Sequence, residues 1–160
     1  MGVELVRIDD RLVHGQVVEG WIPHLKIQRV VVVCDQAAQD ETQQALMQLA
    51  LPESVELRVL STGEAAAYLA AEACSKARVL VLVPSPREAL ALLEGGVAFK
   101  SLNVGGLHYS AGRIQLGKVI FLSEEDRRTL RELARRGVVL EGRAVPSDRK
   151  MDVAGMLAGV

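Results

Sequence analysis

Apolar, β-branched runs recur along the chain at "VELVRI" (3–8), "RVVVVC" (29–34), "VELRVL" (55–60) and "ARVLVLV" (77–83), and "KSLNV" and "VVLEGRAV" follow later. Each reads as a strand, and helix-length segments lie between them. Strands that alternate with helices imply right-handed crossovers and a mainly parallel sheet. The nearly continuous apolar runs at 30–33 and 79–83 fit strands covered on both faces. The predicted fold is α/β: a single doubly wound domain over 1–160, its mainly parallel sheet carrying helices on both faces.

The helices carry their own signals. "STGEAAAYLAAEA" opens with Ser61 and Glu64 at capping-box spacing, and "SPREALALLEGG" has Ser85 as cap, Pro86 at the first helical position and a glycine stop. "SEEDRRTLRELARRG" places Ser123 before three acidic residues, arginines in its last turn and Gly137 at its end, with Leu130, Leu133 and Ala134 as the buried stripe. A further helix over 38–50 ends before Pro52, and Val17, Val18, Trp21 and Ile22 begin one directly after the first strand. The stretch 103–117, "NVGGLHYSAGRIQLG", has four glycines in fifteen residues and reads as a long irregular loop, a common seat of function.

Composition narrows the field. A length of 160 residues suits one domain with a sizeable core. The net charge of −1, with basic residues scattered, leaves no footprint for nucleic acid or anionic lipid. No apolar run approaches the roughly 20 residues of a membrane helix, and "MGVELVRIDD" lacks the regions of a signal peptide. Val6 stands where a myristoylation signal needs Ser or Thr. The expectation is a cytoplasmic protein. Cys34 and Cys74 read as buried packing residues, and without a CxxC pair no zinc site is expected.

In a doubly wound sheet, ligands bind beyond the carboxyl ends of the strands. With the first strand ending near Ile8, the residues Asp9, Asp10, Arg11 and His14 fall in the first such loop, and His14 lies near a helix N-terminus. That setting suits a phosphoryl group: free N–H groups and Arg11 can bind its oxygens. A neutral imidazole can attack phosphorus while a carboxylate holds its other nitrogen; Asp10 is the nearer candidate for that role, Asp9 the other. The plainer alternative is a histidine that fills a turn beside carboxylates that cap the next helix. Ser85 can donate to the phosphate if the fourth strand neighbours the first, or simply cap its helix. Asp35 can line the site or cap its own helix. Gly105, Gly106 and His108 form either an opposite wall, a surface for partner docking or an ordinary turn, and Trp21 reads as core.

The segment "VRIDDRLVHGQVVEGW" closely resembles the active-site segment of the IIB components of the mannose/fructose/sorbose class of the bacterial phosphoenolpyruvate-dependent sugar phosphotransferase system. The resemblance continues through "VVVCDQAAQDE", "LEGGVAFKSLNVGGLHYSAG" and "RGVVLEGRAVPSD", nearly the whole chain. It implies a phosphohistidine carrier: a IIA protein hands a phosphoryl group to His14, which passes it to a sugar carried by membrane-embedded IIC and IID partners. Arg11 and Asp10 fall in the motif as supports, with Gln16 and with Gly15, where backbone would approach the phosphate. Ser85 replaces a threonine common in relatives and keeps the hydroxyl. No metal or organic cofactor is implied. The chain ends soon after "DRKMDVAGMLAGV", so the IIA donor is expected to be a separate protein, and the carrier would sit in the cytoplasm or peripherally on its membrane partners. The rival reading is a regulatory phosphoprotein of the same fold. A nucleotide-binding domain is disfavoured, since neither G-x-G-x-x-G nor G-x-x-x-x-G-K-[ST] occurs. The sugar, the phosphorylated nitrogen and any homo-oligomer stay open.

Overall fold

The computed structural model describes residues 2–72 and 76–160. Cys74 lies outside them. Strands β1 (Gly2–Asp9), β2 (Arg29–Val33), β3 (Glu56–Leu60), β4 (Arg78–Val83), β5 (Ser101–Gly106), β8 (Val139–Gly142) and β9 (Met151–Asp152) form one sheet in the order β3-β2-β4-β1-β5-β8-β9. Neighbours pair parallel except β8 with β9. The doubly wound α/β expectation holds.

Alternation along the central strands serves two cores. Val31, Val33, Val79, Val81 and Val83 face one side with Ala65 and Leu69 of α4 (Thr62–Glu72), Leu92 of α5 (Pro86–Glu94), Leu130 and Leu133 of α6 (Glu124–Arg135) and Leu157 of α7 (Val153–Leu157). Val30, Val32, Leu80 and Leu82 face the other with Val17, Ile22 of α1 (Ile22–Leu25), Ala37 of α2 (Asp35–Ala38) and Met47 of α3 (Glu41–Ala50). Burying both faces explains why these strands lack a polar phase.

Several expected elements change. The helix over 38–50 is two pieces, because the Asp40 side chain accepts from the Gln43 N–H (3.0 Å) and starts α3 afresh after α2. The glycine-rich stretch is not one loop: its first part is the end of β5, and its remainder enters a hairpin of β6 (Ile114–Leu116) and β7 (Ile120–Leu122) whose Leu116, Ile120 and Leu122 join the core. The last expected strand stops at Gly142, since the carbonyls of Arg143 and Ala144 turn inward to accept from Arg7 (2.9 and 3.0 Å). Ser61 and Glu64 form the expected capping box (both bonds 3.3 Å), and Ser123 caps its helix as expected, with Asp126 closing a second box, whereas Ser85 sits at the N-cap position without capping: its hydroxyl bonds Glu88. Cys34 is only partly buried.

After β1 the chain crosses towards β2, and after β5 it crosses the other way towards β8. β1 and β5 are neighbours, so the crevice at their carboxyl ends is the topological switch point. The Asp10 N–H bonds the Gly106 carbonyl there (3.0 Å).

Candidate functional site

Between β1 and the first helix the chain makes a tight loop. Leu12 takes a left-handed backbone (φ 58°), uncommon for a non-glycine residue, and its burial holds it there. Helical structure begins at Gly15, directly after His14. It widens to a π turn over Val17–Trp21 before α1, with Pro23, which has no N–H to donate, just inside α1. His14 is thus held at a helix start at the switch point, its side chain 15% exposed.

The His14 Nε2 lies 2.9 Å from Asp9 Oδ2. Asp9 is fully buried, and the same Oδ2 accepts from Arg7 Nη2 (3.0 Å), while its Oδ1 accepts the Arg11 N–H (3.1 Å) and lies 3.4 Å from Arg11 Nε. Burial alone would raise the Asp9 carboxyl, but the hydrogen bond to His14, the Arg7 charge and the Arg11 N–H outweigh it and hold it below the ordinary carboxylate range. It is therefore an ionised acceptor at neutral pH, and His14 Nε2 donates to it. The imidazole's Nδ1 is left to act.

Asp10 does not orient His14. Its Oδ2 accepts the His108 N–H (2.9 Å) and pairs with His108 Nδ1, because the chain has left β1 by then and Asp10 faces the exit of β5. Arg11 is half exposed, and its Nη2 donates to Gln16 Oε1 (3.0 Å), so these two motif residues meet beside His14. A Cβ on Gly15 would meet nothing within 4 Å; that space opens on a groove of about 680 Å³ between the π turn and Val145, Pro146 and Ser147. A second cleft, about 340 Å³, runs between Asp10, Arg11 and Gln16 and the residues Gly106, His108 and Lys118. Gly106 borders the same charged groups, and a Cβ there would meet Arg11 Nη2 at 3.5 Å and the Asp9 carboxylate at 3.6 Å, ordinary contact distances.

The strand of Ser85, β4, does neighbour β1. Its hydroxyl, however, is engaged by Glu88. Asp35 neither lines the crevice nor caps its own helix: β2 is two strands away from β1, and the Asp35 carboxylate accepts the Thr62 N–H (2.7 Å) at the start of α4.

Sequence reasoning missed the layer beneath His14. Arg7, 0% exposed, donates from Nη1 to Asn103 Oδ1 and to the Arg143 carbonyl, and from Nη2 to the Ala144 carbonyl and Asp9. Asn103 Nδ2 donates to Glu141 (3.0 Å), whose carboxylate takes Arg143 Nε (2.9 Å) and Nη2 (3.1 Å). Trp21 is buried as expected, yet between two cations rather than in aliphatic core: Arg7 and Arg143 lie 5.2 and 5.0 Å from its ring, and its Nε1 donates to Ala144 (3.0 Å). Burial lowers Arg7 from the usual guanidinium value, and Asp9 opposes that. Among the described residues no group of three or more His, Cys, Asp or Glu side chains is disposed to hold a metal, and no helix is long and apolar enough to cross a membrane.

The model of the family described as "PTS system sorbose subfamily IIB component" matches residues 3–159. Over 160 residues the chain is 33% identical to the PTS system fructose-specific EIIB component of Bacillus subtilis strain 168, covering 100% of this chain and 98% of that protein. It is 31% identical over 160 residues to the PTS system mannose-specific EIIAB component of Escherichia coli K12, where all of this chain matches 50% of the longer protein. The crystal structure of the IIBSor domain of the sorbose permease from Klebsiella pneumoniae has a similar fold, with a TM-score of 0.93 at 32% identity over 100% of this chain and 98% of that one. The chain therefore belongs to the sorbose-subfamily IIB components of the phosphotransferase system, a family of phosphoryl transfer in sugar uptake.

Proposed function

We propose that the protein is a phosphohistidine carrier in which Nδ1 of His14 takes a phosphoryl group from a IIA protein and delivers it to a sugar hydroxyl at IIC and IID membrane partners. The observation that carries this reading is the 2.9 Å contact of His14 Nε2 with the buried, ionised Asp9. It fixes the tautomer with Nε2 protonated and the lone pair on Nδ1. The EIIAB name of the E. coli relative supports a IIA protein as donor.

In the first transfer the Nδ1 lone pair forms a bond to phosphorus as the donor's N–P bond breaks, and the donor nitrogen keeps the electron pair. The phosphorylated ring is cationic at Nε2–H, and Asp9 stabilises it. In the second transfer a sugar oxygen bonds to phosphorus, the N–P electron pair returns to Nδ1, and the hydroxyl proton leaves to a base on the partner side. In this reading Arg11 and the first N–H groups of the helix, at Gly15 and Gln16, bind the equatorial oxygens, and catalysis is positioning plus charge stabilisation. The subunit itself uses no metal or organic cofactor in these steps.

The test is to incubate the protein with phosphoenolpyruvate, the general phosphotransferase proteins and candidate IIA proteins. An acid-labile phosphoryl group on the peptide containing His14 is expected. Phosphate on the His108 peptide instead, or no labelling from any donor, overturns the assignment.

A further inference from the structure

Resting on the carrier reading above, we propose that Arg7 is a positioning residue for phosphoryl transfer: it fixes the Asp9 carboxylate against His14 and keeps that carboxylate from trapping a proton on the imidazole. One oxygen, Asp9 Oδ2, lies 3.0 Å from Arg7 Nη2 and 2.9 Å from His14 Nε2. A buried carboxylate with His14 as its only close cation would draw a second proton onto the ring and consume the Nδ1 lone pair that must attack phosphorus. A permanent cation on the same oxygen supplies the counter-charge instead, and the neutral imidazole needs only to donate one hydrogen bond.

The surroundings keep the guanidinium where this requires. Asn103 and the carbonyls of Arg143 and Ala144 take its remaining contacts on Nη1 and Nη2, and the Trp21 ring packs over it. Gly105 is the other condition, since a Cβ there would stand 2.2 Å from Arg7 Cζ and 2.4 Å from Nη2. The charged groups around the pair are Asp10 and Arg11 in the loop, His108 past β5, and Glu141 with Arg143 on and just after β8. Among the described residues only Arg7 and Arg11 bring a permanent side-chain cation to Asp9, and Arg11 is half exposed at 3.4 Å, where solvent screens it.

The experiment follows the His14 imidazole by NMR and the isomer of its phosphorylated form by nitrogen–phosphorus coupling, in wild type, Arg7→Met and Arg7→Lys. In Arg7→Met, with the permanent counter-charge of Asp9 removed, the protonation midpoint of His14 is expected to lie above that of wild type. The acid limb of the transfer rate moves up with it, KM for the IIA donor is unchanged, and phosphate divides between Nδ1 and Nε2. Arg7→Lys restores the charge but not the fork, so it returns the midpoint while isomer fidelity stays reduced. An unmoved midpoint and a single isomer in a folded Arg7→Met protein overturn the inference. If Arg7→Met does not fold, Arg7→Lys decides, and wild-type isomer fidelity there overturns it. Failure of the wild type to accept phosphate would instead strike the carrier reading.

Discussion

One face of the sheet changes character halfway across. Over β2 and β4 it presents Val30, Val32, Leu80 and Leu82 to the helices of that side. Over β1, β5 and β8 the same face presents Arg7, Asn103 and Glu141, which are register partners in a row, with Asp9 at its end. Arg7, Asn103 and Asp9 are buried as fully as the valines and leucines, so the difference is not one of solvent. The apolar half needs only volume to be stable, whereas each polar group in the row needs its partner, and such a row persists where it holds something in place. What it holds is Asp9, and through it His14.

The comparison breaks most sharply at its outer end. His14→Ala is expected to abolish phosphoryl acceptance while preserving the fold, because Asp9 keeps its bonds from Arg7 Nη2 and the Arg11 N–H. His108→Ala keeps an acid-labile, hydroxylamine-sensitive phosphoryl group, since its carboxylate partner, Asp10, lies outside the row. Labelling followed by peptide mapping reads both. Label retained by His14→Ala would detach the row from the chemistry.

One step inward, Asp9→Asn is expected to slow transfer by about 100-fold or more, because the amide cannot stabilise the charged ring or enforce the tautomer. Asp10→Asn is expected to do much less. The two also separate in acid. The folded Asp9 carboxyl sits below its unfolded value, so it contributes stability that is present above the ordinary carboxylate range and is lost as pH falls through the lowered folded value. Urea unfolding against pH should therefore show a flatter acid limb in Asp9→Asn than in wild type. Equal transfer rates in the two variants would remove the distinction between the carboxylates.

How much of this was readable beforehand follows from the same geometry. The strands, their two-sided burial and the position of His14 come from local pattern, and the Ser61–Glu64 capping box comes from four adjacent residues. The choice between Asp9 and Asp10 required knowing that β1 runs one residue past Ile8, which keeps Asp9 in phase with Arg7. The two-residue period was a usable signal: Arg7 lies between the buried Val6 and Ile8 and shares a face with Asp9. What no local pattern contains is the cover on that face. Trp21 and the carbonyls of Arg143 and Ala144 arrive from distant sequence and turn a formally solvent-facing arginine into a buried one. Asp35 and Ser85 show the converse, carboxylate and hydroxyl at the correct sheet edge but engaged by Thr62 and Glu88.

At the exposed rim, Arg11→Ala is expected to slow transfer by a few kcal/mol of barrier, on the order of 100-fold, with little change in stability. Arg11→Lys should recover part of the rate, because the charge remains while the fork is lost. Stopped-flow transfer from the IIA donor, compared with thermal melting, separates the two effects. Unchanged rates with unchanged donor affinity would leave the phosphoryl oxygens to the backbone N–H groups alone.

The smallest effect on transfer belongs to the apolar half. Leu80 is fully buried, pairs in register with Val30 and Leu5, and lies two positions along β4 from Leu82, the register partner of Arg7. Leu80→Ala leaves a cavity among aliphatic side chains and should cost about 2–5 kcal/mol of stability. Because no polar partner is lost, the Arg7–Asp9–His14 contacts stay satisfied, and the transfer rate per folded molecule should match wild type well below the lowered melting temperature. Denaturant unfolding gives the first quantity and phosphoryl transfer at low temperature the second. A rate that fell in proportion to the lost stability would mean that the two halves of the face act as one packed unit, and that His14 depends on the whole core rather than on the polar row beneath it.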